Sequence, residues 1–403
     1  MVLPTSPARQ LGPVAGWVST AGWTAAAARV LGAAWIVTDQ GVLTPDEART
    51  KASNPRLGAA SASGVRRHVP TLAKTLAKDA LEYRRARAFR VAARGPWDGT
   101  QVAFVWQRHE LFHTAGFALA DELAVPSVLF VPAVKVWEAR SWGVRRPLFG
   151  RWLERAGEAP ALRRADVVAC GTDLVAEQVL RLGVAPERVL VTPTGVDLDF
   201  FSDLPDAEPL RRELGLTGRF VVGWVGSFRR MHSLDRLIDA TAGLEGATLL
   251  FVGDGPERPH IEQRARERGV HAVFTGTVSH DALPAHLSVF DTAVVVAGTD
   301  HEYHYSPLKL AEYLAAGRAV VAPRVSQLTA RLRDGEDVLF VEPGDTAALR
   351  RALIVLQGDA MRREHLGRNA RAAARAGWSW DRQIERIVEF LPARSSRSSA
   401  DER

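Results

Sequence analysis

The sequence predicts an α/β protein built as two doubly wound, Rossmann-like domains of similar size that face a cleft. Three observations carry this. The chain has 403 residues, enough for two separate cores. Short apolar runs alternate with helical patterns along both halves, as in parallel sheets covered by helices. The turn Pro193-Thr194-Gly195-Val196-Asp197 interrupts the alternation once, near the middle, and Leu198 to Leu214 reads as a connection. The domains are therefore expected at residues 1–200 and 201–376.

In the first half, Val14 to Val18, Ala34 to Val37, Val102 to Trp106, Ser127 to Val131, Asp166 to Cys170 and Val189 to Thr192 read as strands. Ala25 to Leu31 and Val65 to Arg94 read as helices. Asp39 to Pro45, Arg49 to Gly64 and Pro132 to Gly143 read as turns or loops. In the second half the expected strands are Phe220 to Val225, Thr248 to Val252, Ala272 to Phe274, Thr292 to Val296, Ala319 to Ala322 and Val338 to Val341. Helices are expected at Ser233 to Leu244, Pro256 to Gly269, Thr346 to Leu356, Arg362 to Ala376 and near Gln383 to Leu391. The tail from 392 to 403 is rich in arginine and serine and reads as disordered.

Apolar content of 46% and charged content of 24% fit a globular chain. The single cysteine, Cys170, excludes an internal disulfide and points to a reducing compartment. No apolar run reaches the roughly 20 residues of a membrane span. Residues 1–12 lack the charged head and apolar core of a signal peptide, so a cytoplasmic protein is expected. The net charge is +6, carried almost wholly by arginine. This fits an anionic partner or a plain arginine bias. No zinc spacing and no nucleic-acid module is found, so no nucleic-acid partner is expected.

Chemistry concentrates where strands of the second half end. Gly226-Ser227-Phe228-Arg229-Arg230-Met231-His232 follows the first of them. Small residues there let backbone approach a ligand, and a helix starting near Ser233 aims its positive end the same way. Arg229, Arg230 and His232 add donors suited to a pyrophosphate. An ordinary strand-to-helix turn explains the same residues. Gly253-Asp254-Gly255-Pro256 is a second such turn, with Asp254 read as a capping residue. Ser306-Pro307-Leu308-Lys309 opens a helix that carries Glu312 one turn later and ends at Gly317. Lys309 is the one lysine after Lys135. Its point charge suits a phosphate or sugar oxygen. Glu312 can accept from two adjacent hydroxyls, as on a ribose, or simply pair with Lys309 in solvent.

These turns, in this order and spacing, resemble the retaining glycosyltransferases of family four, with the GT-B architecture. The resemblance rests on Arg188 to Asp197, on Gly226-Ser227-Phe228 with His232, on Val252 to Pro256, and on Ser306 to Lys309 with Glu312 and Ala316-Gly317. It implies a nucleotide-sugar held by Gly226, Ser227, Arg229, Arg230, His232, Gly253, Ser306, Leu308, Lys309 and Glu312. It also implies that a last helix, within 377–391, crosses back onto the first domain. Many members carry two glutamates eight positions apart; here His304 stands at the first place, with Glu302 nearby. Many carry an arginine and a lysine where Ser227 and His232 stand, so His232 is expected to bind best when protonated.

The first domain resembles the family more loosely. Ser19 to Trp23 is the nearest match to its glycine-rich loop, and Pro132 stands where a histidine often follows the strand. His109 and Glu138 are the groups expected to face the reacting sugar. The implied reaction moves a sugar from a UDP- or GDP-sugar to an acceptor hydroxyl with retention. No metal and no cofactor beyond the nucleotide-sugar co-substrate is implied. The acceptor is a glycan, a lipid-linked sugar or a small molecule. The alternatives are a nucleotide-sugar epimerase or hydrolase, and a binding subunit without catalysis. Aromatic and arginine residues alternate over 137–155, which suits a peripheral contact with the inner face of a membrane or a helix covering the sheet.

Overall fold

A computed structural model of the chain describes residues 1–5, 14–52, 71–141, 144, 146, 149–298 and 308–392. Two sheets organise them. The first contains β1 (Val2–Pro4), β2 (Trp35–Thr38), β3 (Gly41–Leu43), β4 (Val105–Arg108), β5 (Ser127–Val131), β6 (Val167–Cys170) and β7 (Val189–Val191). Its order is β3-β2-β1-β4-β5-β6-β7. All neighbours are parallel except β2 and β3, which form an antiparallel pair. The second contains β8 (Phe220–Val225), β9 (Ala247–Val252), β10 (Ala272–Phe274), β11 (Thr292–Val294), β12 (Ala319–Pro323) and β13 (Leu339–Val341). Its order is β10-β9-β8-β11-β12-β13, parallel throughout. Each sheet reverses its winding direction once, between β1 and β4 and between β8 and β11. Open parallel sheets bind ligands beyond the carboxyl ends of strands at such points.

The apolar runs are short because these strands are buried on both faces. Val221, Val222, Leu249, Leu250, Val320 and Val321 are all fully buried. One face of the second sheet packs on Phe290, Leu310, Tyr313 and Leu314, the other on Trp224, Phe228, Leu237 and Leu353.

Several expectations need correcting, among them the turn at Asp39 to Pro45, which holds β3, and the loop from Arg49, whose start lies in the helix Pro45–Ala52. Val14 to Val18 is not a strand but the start of the helix Val14–Leu31. Trp17, Trp23, Ala26 and Ala27 on that helix are all buried. A helix enclosed on most sides shows no polar stripe, so its period is hidden. The strand that opens the sheet is β1, at only three residues. Ser19 to Trp23, matched to the glycine-rich loop, therefore lies inside the helix. Within the loop expected at Pro132 to Gly143, Lys135–Ser141 is helical. Its first amides, at Lys135 and Val136, are capped by the distant carboxylate of Glu158. No local residue signals that cap. The helices Ala115–Glu122 and Leu198–Ser202 were likewise not anticipated.

The last helix, Trp380–Phe390, crosses back and packs on Val14–Leu31 in the first domain. Trp380, Ile384 and Ile387 join the first domain's core, with Trp380 and Trp23 ring centroids 5.1 Å apart. The two strands of chain that join the domains pair with each other. Val196 N donates to Trp378 O at 2.8 Å, and Trp380 N to Val196 O at 3.2 Å. Arg29 grips both oxygens of Asp381, and the buried Thr192 hydroxyl donates to Gln383 at 3.0 Å. Among the described residues no helix is long and apolar enough to cross a membrane. The tail beyond 392 lies outside the described residues.

Candidate functional site

The winding reversal between β8 and β11 gathers the second-domain residues. Gly226 leaves β8 with φ +149°, a backbone that side chains disfavour. A Cβ there would stand 2.8 Å from Lys309 Nζ. Gly253 leaves β9 with φ +131°, and a Cβ there would stand 2.0 Å from the Gly226 carbonyl. The two turns thus lie backbone against backbone. Phe228 N donates to Asp254 O at 3.1 Å, and Glu257 N to Phe228 O at 3.0 Å. Asp254 shapes its turn, accepting from Gly255 N at 2.7 Å and from Arg258 at 3.2 Å.

Lys309 enters from the helix Leu308–Ala315, which links β11 to β12. Its ammonium lies 4.1 Å from the centre of the Trp224 ring. The Tyr313 hydroxyl on the same helix accepts from Val225 N at 2.7 Å, which ties the helix to the end of β8. Burial pushes the Lys309 ammonium down to about 7, with Glu312 opposing. His232 packs edge-on to Trp224 with centroids 5.4 Å apart. Burial first, then Lys309 and Arg229, push its imidazole down to about 2. This runs against the expectation of a protonated His232: burial, and next the charge of Lys309, favour the neutral ring. Ser227, Arg229 and Arg230 are exposed on the rim. Ser306, with His304 and Glu302, lies outside the described residues.

Glu312 is buried, at 4% exposure, and its Oε1 stands 3.6 Å from His280 Nε2. His280 stacks on Phe200, with centroids 5.0 Å and planes 9° apart. The guanidinium of Arg49, from the first domain, lies 5.0 Å from the Phe200 ring centre. With Glu312 and Leu308, these residues line a cavity of about 140 Å³ between the domains. Leu308 packs on the first domain's core. It is therefore placed as an interface residue as much as a pocket wall.

The first-domain residues sit at the other reversal, beyond β4. His109 is 1% exposed, and its Nε2 meets Glu158 Oε1 at 2.7 Å. That carboxylate is the one capping Lys135–Ser141. His109 is thus held in the framework rather than presented to the cleft. Glu138, one turn into that helix, lies 3.5 Å from Lys135 Nζ, which also approaches Glu110 at 3.8 Å. His109 connects to the helix that carries Glu138 through Glu158, which caps Lys135 and Val136. The pair expected from sequence is not brought into direct contact, and no contact joins either to the Lys309 cluster among the described residues. His113, buried beside Phe89, has its imidazole pushed down to about 4 by burial.

Sequence reasoning missed Trp224, His280, Phe200 and Glu158. Trp224 lies within an expected strand, where an aromatic is unremarkable. Phe200 lies in what reads as a connection. A histidine directly after a strand-end turn, as in Ser279-His280-Asp281, is the one signal available for His280. Glu158 is carried inward by a π-helical turn at Leu153–Glu158, a distortion common at functional sites.

Comparisons with known proteins agree with this geometry. A family model described as glycosyl transferases group 1 matches residues 219–359, and one described as glycosyltransferase family 4 matches 41–200. A 2-deoxystreptamine N-acetyl-D-glucosaminyltransferase of Streptomyces fradiae is 34% identical over 55% of this chain and 53% of its own length. A D-inositol 3-phosphate glycosyltransferase of Geodermatophilus obscurus is 32% identical over 60% of this chain and 56% of its own. The chain thus spans about half the length of these relatives. Among solved structures, Anabaena HepE in complex with UDP superposes with a TM-score of 0.66 at 16% identity, covering 97% of this chain and 99% of that one. Sucrose-phosphate synthase of Thermosynechococcus elongatus gives 0.64 at 20% identity, covering 96% and 97%. At such identities these structures speak for the fold, which is GT-B. Two sheets of this order, a last helix crossing back, and family models matched on both halves make the conclusion plain: the chain belongs to the group 1, family 4 glycosyltransferases.

Proposed function

We propose that the protein transfers a sugar from a nucleoside-diphosphate sugar to an acceptor hydroxyl, with retention at the anomeric carbon and without a metal. The observation that carries the reading is the placement of Lys309 Nζ beside Gly226, at the winding reversal of the second sheet. A diphosphate laid over Gly226 and Gly253 would meet bare backbone, the ammonium of Lys309 and the first amides of the helix Leu308–Ala315. Arg229 and Arg230 stand on the rim, free to close on it. As the bond from sugar to diphosphate breaks, the leaving nucleotide gains charge. Preset cations and amide dipoles stabilise it there. The acceptor oxygen takes the sugar, and its proton passes to the departing diphosphate oxygen and from there to solvent. Glu312, one helical turn from Lys309, would accept from the ribose hydroxyls.

Several finer points belong to the same reading. UDP is the favoured nucleotide, since HepE, the structural neighbour named above, binds it. GDP is the second candidate. The acceptor is a small polyol, in line with the acceptors that the relatives' names carry, and a lipid-linked headgroup is the second candidate. Glu138 is the part-exposed first-domain carboxylate we assign to the reacting sugar, and His109 supports it indirectly through Glu158, which caps the helix that carries Glu138. No cofactor other than the donor is required. A peripheral membrane contact through 137–155 draws support from Trp152, which is 64% exposed.

The test is transfer itself. The protein is incubated with UDP-glucose, UDP-N-acetylglucosamine or GDP-mannose and an inositol or aminocyclitol acceptor, with chelator present. Nucleotide release that depends on acceptor is expected. An isomerised sugar with donor alone would instead mark an epimerase. Donor binding without release under any acceptor would mark a binding subunit. Unchanged transfer in both Glu312→Ala and Lys309→Ala would overturn the donor-site assignment.

A further inference from the structure

At the opposite edge of the second sheet, by the amino ends of β11 and β12, lies a larger cavity of about 620 Å³. Its walls include Arg318 at the start of β12 and Arg363, Arg368, Arg371 and Arg375 on the helix Ala360–Gly377. Among the described residues two carboxylates share the lining, Asp291 and Glu364. Asp291 is already taken by Arg211 at 3.0 Å and by Val221 N at 2.7 Å. Glu364 pairs with Arg368 on the exposed face at 3.8 Å. Arg363, Arg371 and Arg375 form no ion pair with a carboxylate among the described residues, and Arg318 feels only the more distant attraction of Asp291.

What three of these arginines do instead is lean on backbone carbonyls. Arg318 donates to Phe290 O at 3.2 Å and Arg371 to Ala316 O at 3.2 Å. Arg363 donates to Gln357 O at 3.3 Å. The Arg371 guanidinium lies flat against Gly317, where a Cβ would come within 2.9 Å of it. Its Nε is buried without an acceptor. Burial, then the neighbouring Arg371, hold the Arg318 guanidinium below its ordinary value. Like charges gathered around a hollow repel each other, and an anion between them would relieve that cost. Arginine forks match the oxygens of phosphate in pairs. The volume is that of an ordinary ligand site.

We propose that this cavity binds a phosphate-bearing anion, at a second site separate from the one at Gly226 and Lys309. It also gives the chain's arginine excess a place to act. The proposal does not depend on the transferase reading. The phosphate could belong to a free small molecule or to a lipid headgroup, and the test separates them.

The full chain carrying Lys309→Met, which removes the donor-site cation, is used as background. Its thermal unfolding is followed against inorganic pyrophosphate at constant ionic strength. Its co-sedimentation is followed with phosphatidylcholine vesicles with and without phosphatidylglycerol. The same measurements are made after Arg368→Glu with Arg375→Glu, two exposed positions, and after Arg371→Gln. Unfolding in phosphate-free buffer checks that each variant folds. If the source is a free phosphate, pyrophosphate raises the unfolding temperature and the apparent affinity drops about tenfold in the variants. If the source is a headgroup, the protein sediments with the anionic vesicles alone and the variants do not. A response to neither probe overturns the proposal. So does a response that the variants keep in full.

Discussion

Lys309 and Trp224 form a cation–π pair, with Nζ 4.1 Å from the ring centre. The pair joins the helix Leu308–Ala315 to the end of β8, which is the junction a diphosphate would occupy. A ring face holds an ammonium with little water around it, worth about 0.5–2 kcal/mol. Burial also makes the charge costly, which is why the ammonium titrates near 7.

The sign of the resulting pH dependence follows. Below about 7 Lys309 is charged and a diphosphate gains its full attraction. Above it, binding must first supply a proton. Donor affinity should therefore be flat in mild acid and fall as pH rises through 7, by up to about tenfold per unit until the bound ammonium itself titrates. A nucleotide-sugar is the right probe, because its diphosphate does not titrate there. Calorimetric titration across neutral pH should show the fall in wild type, and a nearly flat, weaker profile in Lys309→Met. Parallel profiles would mean that Lys309 does not meet the donor.

Glu312 separates binding from folding. Its carboxylate is buried, and the nearest ion-pair partner, His280, stands at 3.6 Å, longer than a hydrogen bond. Little native stability should depend on it. Glu312→Ala is expected to lower kcat/KM for the donor more than about tenfold while moving the unfolding temperature little. Glu312→Gln, which keeps one acceptor, should recover part of the loss. Steady-state kinetics beside thermal unfolding reads both quantities. A variant that loses stability and activity together would make Glu312 a framework residue.

Gly226 offers a steric test of the same junction. Alanine there meets Lys309 Nζ at 2.8 Å and must also hold φ +149°. The lysine tip can yield more easily than the backbone. Gly226→Ala should thus cost about 1–3 kcal/mol of stability and at least about tenfold in donor affinity. Equal donor affinity in wild type and variant would place the diphosphate elsewhere.

The hinge can be tested apart from the site. Gly195 lies against Trp380, where a Cβ would come 2.7 Å from both the ring and the backbone nitrogen. Neither can retreat, since Trp380 is packed on Trp23 and bonded to Val196. Gly195→Ala should cost about 2 kcal/mol or more, with the two domains loosening together. Hydrogen exchange would show it as lost protection at Val196 and Trp380 first.

The second domain was the more legible half because its chemistry is written in backbone requirements. Gly226 and Gly253 must be glycine where two turns touch, and those glycines stand directly after apolar runs. The first domain hides its chemistry in tertiary contacts. Glu158 caps a helix twenty-three positions earlier in the chain. Arg49, Phe200, His280 and Glu312 come from four separate segments. The helix Val14–Leu31 conceals itself by being buried on most sides. The crossover helix was readable through the family resemblance, whereas its partner surface, Gly22 and Trp23, was not.

Two buried histidines should govern the response to acid. Burial holds His113 near 4 and, with Lys309 and Arg229, holds His232 near 2, whereas both take their ordinary value of 6.5 in the unfolded chain. As pH falls below 6.5, the unfolded state gains two protons that the folded state refuses, so stability drops. Each histidine contributes up to about 1.4 kcal/mol per pH unit, His113 down to about 4 and His232 further. His232→Gln removes one of the two protons. Its stability should fall less steeply than wild type between pH 6.5 and 4, measured by denaturant unfolding at each pH, while carboxylate effects common to both proteins cancel. Identical slopes would mean that His232 takes up its proton in the folded state, and the charge balance drawn around Lys309 would then be wrong.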